Sequence, residues 1–199
     1  LCLLAAATTS IADAQSTIVL PNGLVNGAGN SLNSFPWGTS AATFPGLRVQ
    51  TVYDSSNFVA NGVATPIRIT RLRWRANDST STWTGGTFAQ GRVVLATAAV
   101  DHTQIGTNFA QNLGTDQRVA YSGPVNYLGG TGNGVARGGP VVVDITLSTP
   151  FVYDPAAGDL AIDVDYPGGS NFSGGTLSAM DVQTGAAASR TYASTTHPI

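Results

Sequence analysis

Lysine and glutamate are missing from this sequence altogether. Its nine basic residues are all Arg and its eleven acidic residues are all Asp. Lys and Glu furnish the exposed faces of amphipathic helices, so their loss argues against a helical protein. Charge of either sign is scarce, at 10% of the chain against roughly a quarter in ordinary soluble proteins. A formal net charge of -2 gives no electrostatic basis for binding nucleic acid or an anionic membrane surface. No segment after the N-terminal leader approaches the roughly 20 apolar residues of a membrane-spanning helix, so membrane insertion of the mature chain is not expected.

Catalytic parts are equally thin. The two histidines, His102 and His197, stand in unrelated segments, and no HExxH, Cys/His cluster or GxSxG is present. Zinc hydrolysis and the usual serine triads therefore have no foothold. A glycosidase would have to use two aspartates, and none stands out as a buried acid. No catalytic residue, cofactor or firm metal site is expected.

What is abundant points to strands and turns. The 24 glycines, with many Thr, Ser, Val and Asn, suit strands joined by glycine-rich loops, and 42% hydrophobic residues suffice for one core. The apolar start "LCLLAAA" precedes Ala12-Asp13-Ala14, a small-x-small signal-peptidase pattern that predicts cleavage before Gln15. Residues 1–14 are then the C-terminal part of a signal peptide, 15–29 an N-terminal strand and flexible loop, and 30–199 a β-sandwich domain. Cys2 falls within the leader, so the mature chain has no disulfide or thiolate chemistry. The expected address is outside the cell.

Period-two alternation marks several half-buried strands. In "PVVVDITL", Val141, Val143, Ile145 and Leu147 share a face, and in "DLAIDVDY" Leu160, Ile162, Val164 and Tyr166 do so opposite Ala161, Asp163 and Asp165. "LRVQTVYD" and "GRVVLATA" supply two more, while Pro150 and Pro155 in "STPFVYDPAAG" predict a corner. In "PIRITRLRWRAND" the parity breaks. Burying Ile67, Ile69, Leu72 and Trp74 together requires a β-bulge near Thr70 and Arg71, with Arg71, Arg73 and Arg75 outward. The predicted fold is a single all-β, jelly-roll-like sandwich of roughly eight to ten antiparallel strands.

Three sets of residues are candidates for binding or assembly. Asp159, Asp163 and Asp165 form a weak Ca²⁺ candidate, for Asp163 and Asp165 share a strand face, but no DxDxDG loop is present. Asp163 and Asp165 are expected to face solvent, with Asp154 and Asp159 bonding the local backbone of a turn. Trp37 and Trp83 lie in Pro/Gly/Thr loops where exposed rings can stack on sugars, whereas Trp74 is expected in the core. Tyr121, Tyr127 and Tyr153 are further aromatic candidates. Two Asn-x-Ser sequons begin at Asn77 and Asn171 and permit glycosylation. Finally, Thr17, Ile18, Val19 and Leu20 read as a strand within "STIVLPNGLV" that can add to the sandwich edge of another copy.

The stretches "NSFPWG", "RVQTVYDSSNF", "ITRLRWRAND", "TWTGG", "AYSGPV" and "TPFVYDPAAGDLAIDV" together resemble a group of uncharacterised secreted bacterial β-rich proteins, many with a PEP-CTERM-type sorting tail. The resemblance spans about residues 30–192 and implies an extracellular β-rich domain without naming an activity. The final "SRTYASTTHPI" departs from that pattern, with no sorting helix or arginine cluster. The functional expectation is a structural extracellular protein that assembles with itself as a fibre, matrix or surface subunit. The alternatives are a module binding polysaccharide and an Asp-dependent enzyme acting on glycosides.

Overall fold

The computed structural model describes residues 16–38, 46–135, 139–168, 171–183, 185 and 187–194. The leader expected over residues 1–14, Cys2 and His197 lie outside them. The strands are β1 (Ser31–Asn33), β2 (Leu47–Tyr53), β3 (Ile67–Arg75), β4 (Thr82–Trp83), β5 (Gly86–Thr97), β6 (Arg118–Tyr127), β7 (Gly130–Thr131), β8 (Val141–Tyr153), β9 (Leu160–Tyr166), β10 (Phe172–Gly174), β11 (Met180–Val182) and β12 (Ala188–Ser194). Among the described residues helix is confined to single turns such as α1 (Ser56–Val59) and α2 (Phe109–Asn112), as the lack of Lys and Glu predicts.

The fold is an all-β sandwich. One eight-stranded antiparallel sheet runs β12-β2-β9-β5-β6-β8-β3, with β10 also on β5, and the ribbons β1-β11 and β4-β7 stand apart. The ladder between β6 and β8 has a single registered pair, Tyr127↔Val143. The sheet folds back on itself, for β3 and β12, at opposite ends of the strand order, line one groove.

The core between the layers is continuous and rich in aromatics. Trp37, fully buried, meets Trp74 edge-on at 5.6 Å and lies near Phe88 and Tyr166 at 5.6 and 6.1 Å between ring centroids. Gly91 makes room for it, since a Cβ there would stand 2.8 Å from Val125 Cγ2 and 3.1 Å from Trp37 Cζ3. A smaller core of Val52, Val94, Ala96, Leu113 and Ala161 lies on the other face of β2, β5 and β9. β9 is therefore buried on both faces.

The break in β3 falls where parity requires it, with a register shift between Ile69 and Arg71. The strand β8 runs through Pro150 instead of turning there, and only Asp154 onward forms the corner. Pro150 lies opposite the irregular stretch, where a residue without an N–H does least harm to the ladder. Leu72 and Trp74 are half-buried against the core, while Arg71 and Arg73 are exposed. Arg75 departs from the expected outward row. A second shift between Trp74 and Arg75 turns it to Asp181.

Candidate functional site

Asp163 and Asp165 are not solvent-facing. Both are buried, at 0% and 1% exposure, in a polar layer on the face of β9 away from the main core. Antiparallel pairing puts Arg48 of β2 opposite Asp165 and Gln50 opposite Asp163. The Arg48 guanidinium donates to both Asp163 oxygens, Nε at 3.0 Å and Nη2 at 2.6 Å, and Gln50 Nε2 adds a bond at 2.9 Å. Asn112 of α2 donates to Gln50 Oε1 at 2.7 Å, and Arg48 lies 4.6 Å over the Phe109 ring. Arg92 Nε holds Asp165 at 2.8 Å. Burial raises the Asp165 pKa above the ordinary carboxylate value, with Arg92 opposing. The fork-and-carboxylate geometry leaves Asp163 little capacity for a metal ion.

Asp159 lies elsewhere, so the three aspartates proposed as a Ca²⁺ set do not form one. Its Oδ1 accepts from Ser55 N at 2.9 Å and its Oδ2 from His102 N at 2.7 Å. Local turn bonding holds for Asp154, whose Oδ1 accepts from Ala156 N, but Asp159 bonds distant loops instead. His102 Nδ1 is 3.2 Å from Asp159 Oδ2, and Nε2 is 3.9 Å from Asp54 Oδ2. Asp54, His102 and Asp159 are the one trio of metal-ligating type among the described residues. Both Asp159 oxygens are already engaged by N–H donors, and Nε2 faces a carboxylate where a triad would need a nucleophile. The trio ties three loops together.

The sugar-platform candidates are corrected as well. Trp37 is core, and Trp83 is 3% exposed with Nε1 donating to Leu128 O at 2.8 Å. Trp37 from a loop and Trp83 from the short strand β4 both bury their large apolar rings in the main core. Tyr127 and Tyr153 are buried too, and Tyr121 donates to Pro124 O. Neither sequon presents its asparagine. Asn77 and Asn171 are buried, and Asn171 bonds the Gln90 backbone through both ends of its amide.

The open feature is the groove between β3 and the β12-β2-β9 face, with a volume of about 1310 Å³. Its floor carries Val49, Thr51 and Ile162, and its roof carries Ile69, Leu72 and Trp74. Residues 16–21 and Leu24 form a side wall. They are not the strand expected there. Ser16–Val19 is irregular, and Asn22–Val25 is a 3-10 turn after Pro21, whose missing N–H and fixed φ end an extended run. Thr17 is exposed, Val19 is half-buried, and Ile18 and Leu20 pack against the core. Among the described residues no backbone hydrogen bond joins Ser16–Leu20 to a strand. The arm is fastened at its base, where Arg75 Nη2 donates to Leu24 O at 2.6 Å and Gly27 O at 3.0 Å.

Arg190 is the residue that sequence reasoning missed. It projects from β12 into the groove, half-buried, opposite Thr51, with its guanidinium 5.3 Å over the Phe35 ring. Its Nη1 donates to Asn33 Oδ1 at 3.4 Å, and no carboxylate lies within ion-pair distance among the described residues. Burial lowers its pKa, with Tyr53 and Tyr192 opposing. Alternation in "ASRTYAS" places Ala188, Arg190 and Tyr192 on one face, the signal that would have found it. Comparison with family models, curated proteins and solved structures returns no match for this chain.

Proposed function

We propose that the protein is a non-enzymatic, exported structural subunit that assembles by exchanging its N-terminal arm between copies. The observation that carries this reading is the seating of Ser16–Leu20. The segment rests in the groove on side chains alone, with Ile18 and Leu20 against the core and no backbone ladder among the described residues. A neighbour's arm offers the same two side chains to the same surface, so exchange conserves the contacts and costs little beyond association. Two sheet edges border the groove, and among the described residues no strand pairs with the outer side of either along the sheet order. The β3 edge is guarded by exposed Arg68, Arg71 and Arg73 and by the break at Thr70, devices that discourage lateral pairing. The β12 edge, with one arginine in seven residues, is the more receptive. The absence of an enzyme role is supported by the engagement of the buried aspartates with arginine or backbone N–H groups.

Truncation tests it. A chain starting at Asn26 should remain folded by circular dichroism and lose any assembly of the intact protein in size-exclusion chromatography with light scattering. Assembly that survives the truncation would refute arm exchange.

A further inference from the structure

The groove remains large with the arm in place, and its charge is lopsided. Five of the nine arginines line it (Arg68, Arg71, Arg73, Arg75 and Arg190), against Asp181 alone among the described acids. Asp144 holds Arg71 and Arg73, and Asp181 holds Arg75. Arg68 is exposed, which leaves Arg190 as the half-buried groove cation without a carboxylate among the described residues. A guanidinium in apolar surroundings gains most from a planar anion that accepts two of its N–H groups. The described arm, Ser16–Leu20, contains no acid and cannot supply one.

We propose that this groove binds a long-chain carboxylate, with the anionic head on Arg190 and the alkyl chain between the β3 roof and the β2–β9 floor. The volume exceeds the roughly 300–1,000 Å³ of ordinary ligand pockets, so an extended chain has room. Thr51, beside Arg190 in register, offers a hydroxyl near the head, and Val49, Ile162, Ile69 and Leu72 offer apolar walls for the tail. The side chains of Val49, Ile162, Ile69 and Leu72 offer a neutral sugar no hydrogen bond. Arm exchange is not required, because the arm forms the same wall whichever copy supplies it.

Titration of the full chain with dodecanoate, dodecanol and decanoate, followed by calorimetry and tryptophan fluorescence, tests the site. Saturable binding of one dodecanoate per chain is expected, at least about tenfold tighter than dodecanol. Decanoate should be about tenfold weaker than dodecanoate, because two buried methylenes are lost. Arg190→Gln should abolish the preference for dodecanoate over dodecanol while leaving dodecanol affinity unchanged. Should that variant unfold, Ile69→Trp carries the test by filling the groove, and both ligands should be lost. No saturable binding, equal affinity for acid and alcohol, or undiminished dodecanoate binding by a folded Arg190→Gln or Ile69→Trp chain would overturn the proposal.

Discussion

The two faces of the half-sheet β12-β2-β9-β5 hold their arginines in opposite circumstances. On the outer face, Arg48 and Arg92 each grip a buried aspartate, and the loop carrying α2 closes over Arg48 and Gln50. On the inner face, Arg190 stands in a groove with aromatic rings and an asparagine oxygen about it. The same side chain is thus a fastening in one place and an available donor in the other. What differs is whether a neighbouring strand supplies an acid. β9 does so for β2 and β5, whereas β12 is an edge, with only β2 beside it in the sheet order.

Substitutions should separate these circumstances. The largest effect is expected beneath the groove, where Trp37→Ala should cost about 4 kcal/mol in urea unfolding, because its aromatic neighbours cannot close the space. On the outer face, Asp163→Ala should cost about 3 kcal/mol, since it strands Arg48 and Gln50 without their shared acceptor. Arg190→Gln should change stability by less than about 0.5 kcal/mol, as it breaks no ion pair among the described residues. If Arg190→Gln proved as damaging as Asp163→Ala, the two faces would not differ as described.

Legibility in the sequence followed the range of the interactions. Alternation revealed the segments that became β2, β5, β8 and β9, and the parity break in "ITRLRW" revealed the register shift at Thr70. These are properties of single strands. The burial of Asp163 and Asp165 was illegible because a strand with one polar face reads alike whether that face meets water or a matched arginine. Which strand lies alongside is decided more than a hundred residues away, as the pairing of Arg48 with Asp163 illustrates. Trp37 and Trp83 misled for a related reason, since the composition of a Pro/Gly/Thr-rich stretch does not say whether its aromatic ring packs into the core. The β-branched run at Thr17–Val19 carries strand propensity, but propensity forms no strand without a backbone partner.

The pH dependence of stability should distinguish surface from buried aspartates by sign. Asp144, hydrogen-bonded by Arg71 and near Arg73, has its pKa lowered below the ordinary 3.8. Its contribution is present above that value and is lost as pH falls through the folded-state pKa. Asp165, raised chiefly by burial, behaves oppositely, its contribution being lost as pH rises from 3.8 through its higher folded-state pKa. Urea midpoints from pH 2 to pH 7 should therefore show the wild-type advantage over Asp144→Asn growing with pH and that over Asp165→Asn shrinking. The Asp144 effect is the smallest expected, since its pair is largely solvated and screened by salt.

Sedimentation velocity of the intact protein over a concentration series, beside the double substitution Ile18→Asp and Leu20→Asp, tests arm exchange most directly. Both side chains pack on the core at the groove, and two charges there would oppose seating of the arm in either copy. The intact protein is expected to sediment as larger species with rising concentration, and the folded double variant as a monomer throughout. An intact protein that stays monomeric at the highest concentration, or a double variant that assembles as the wild type does, would contradict arm exchange.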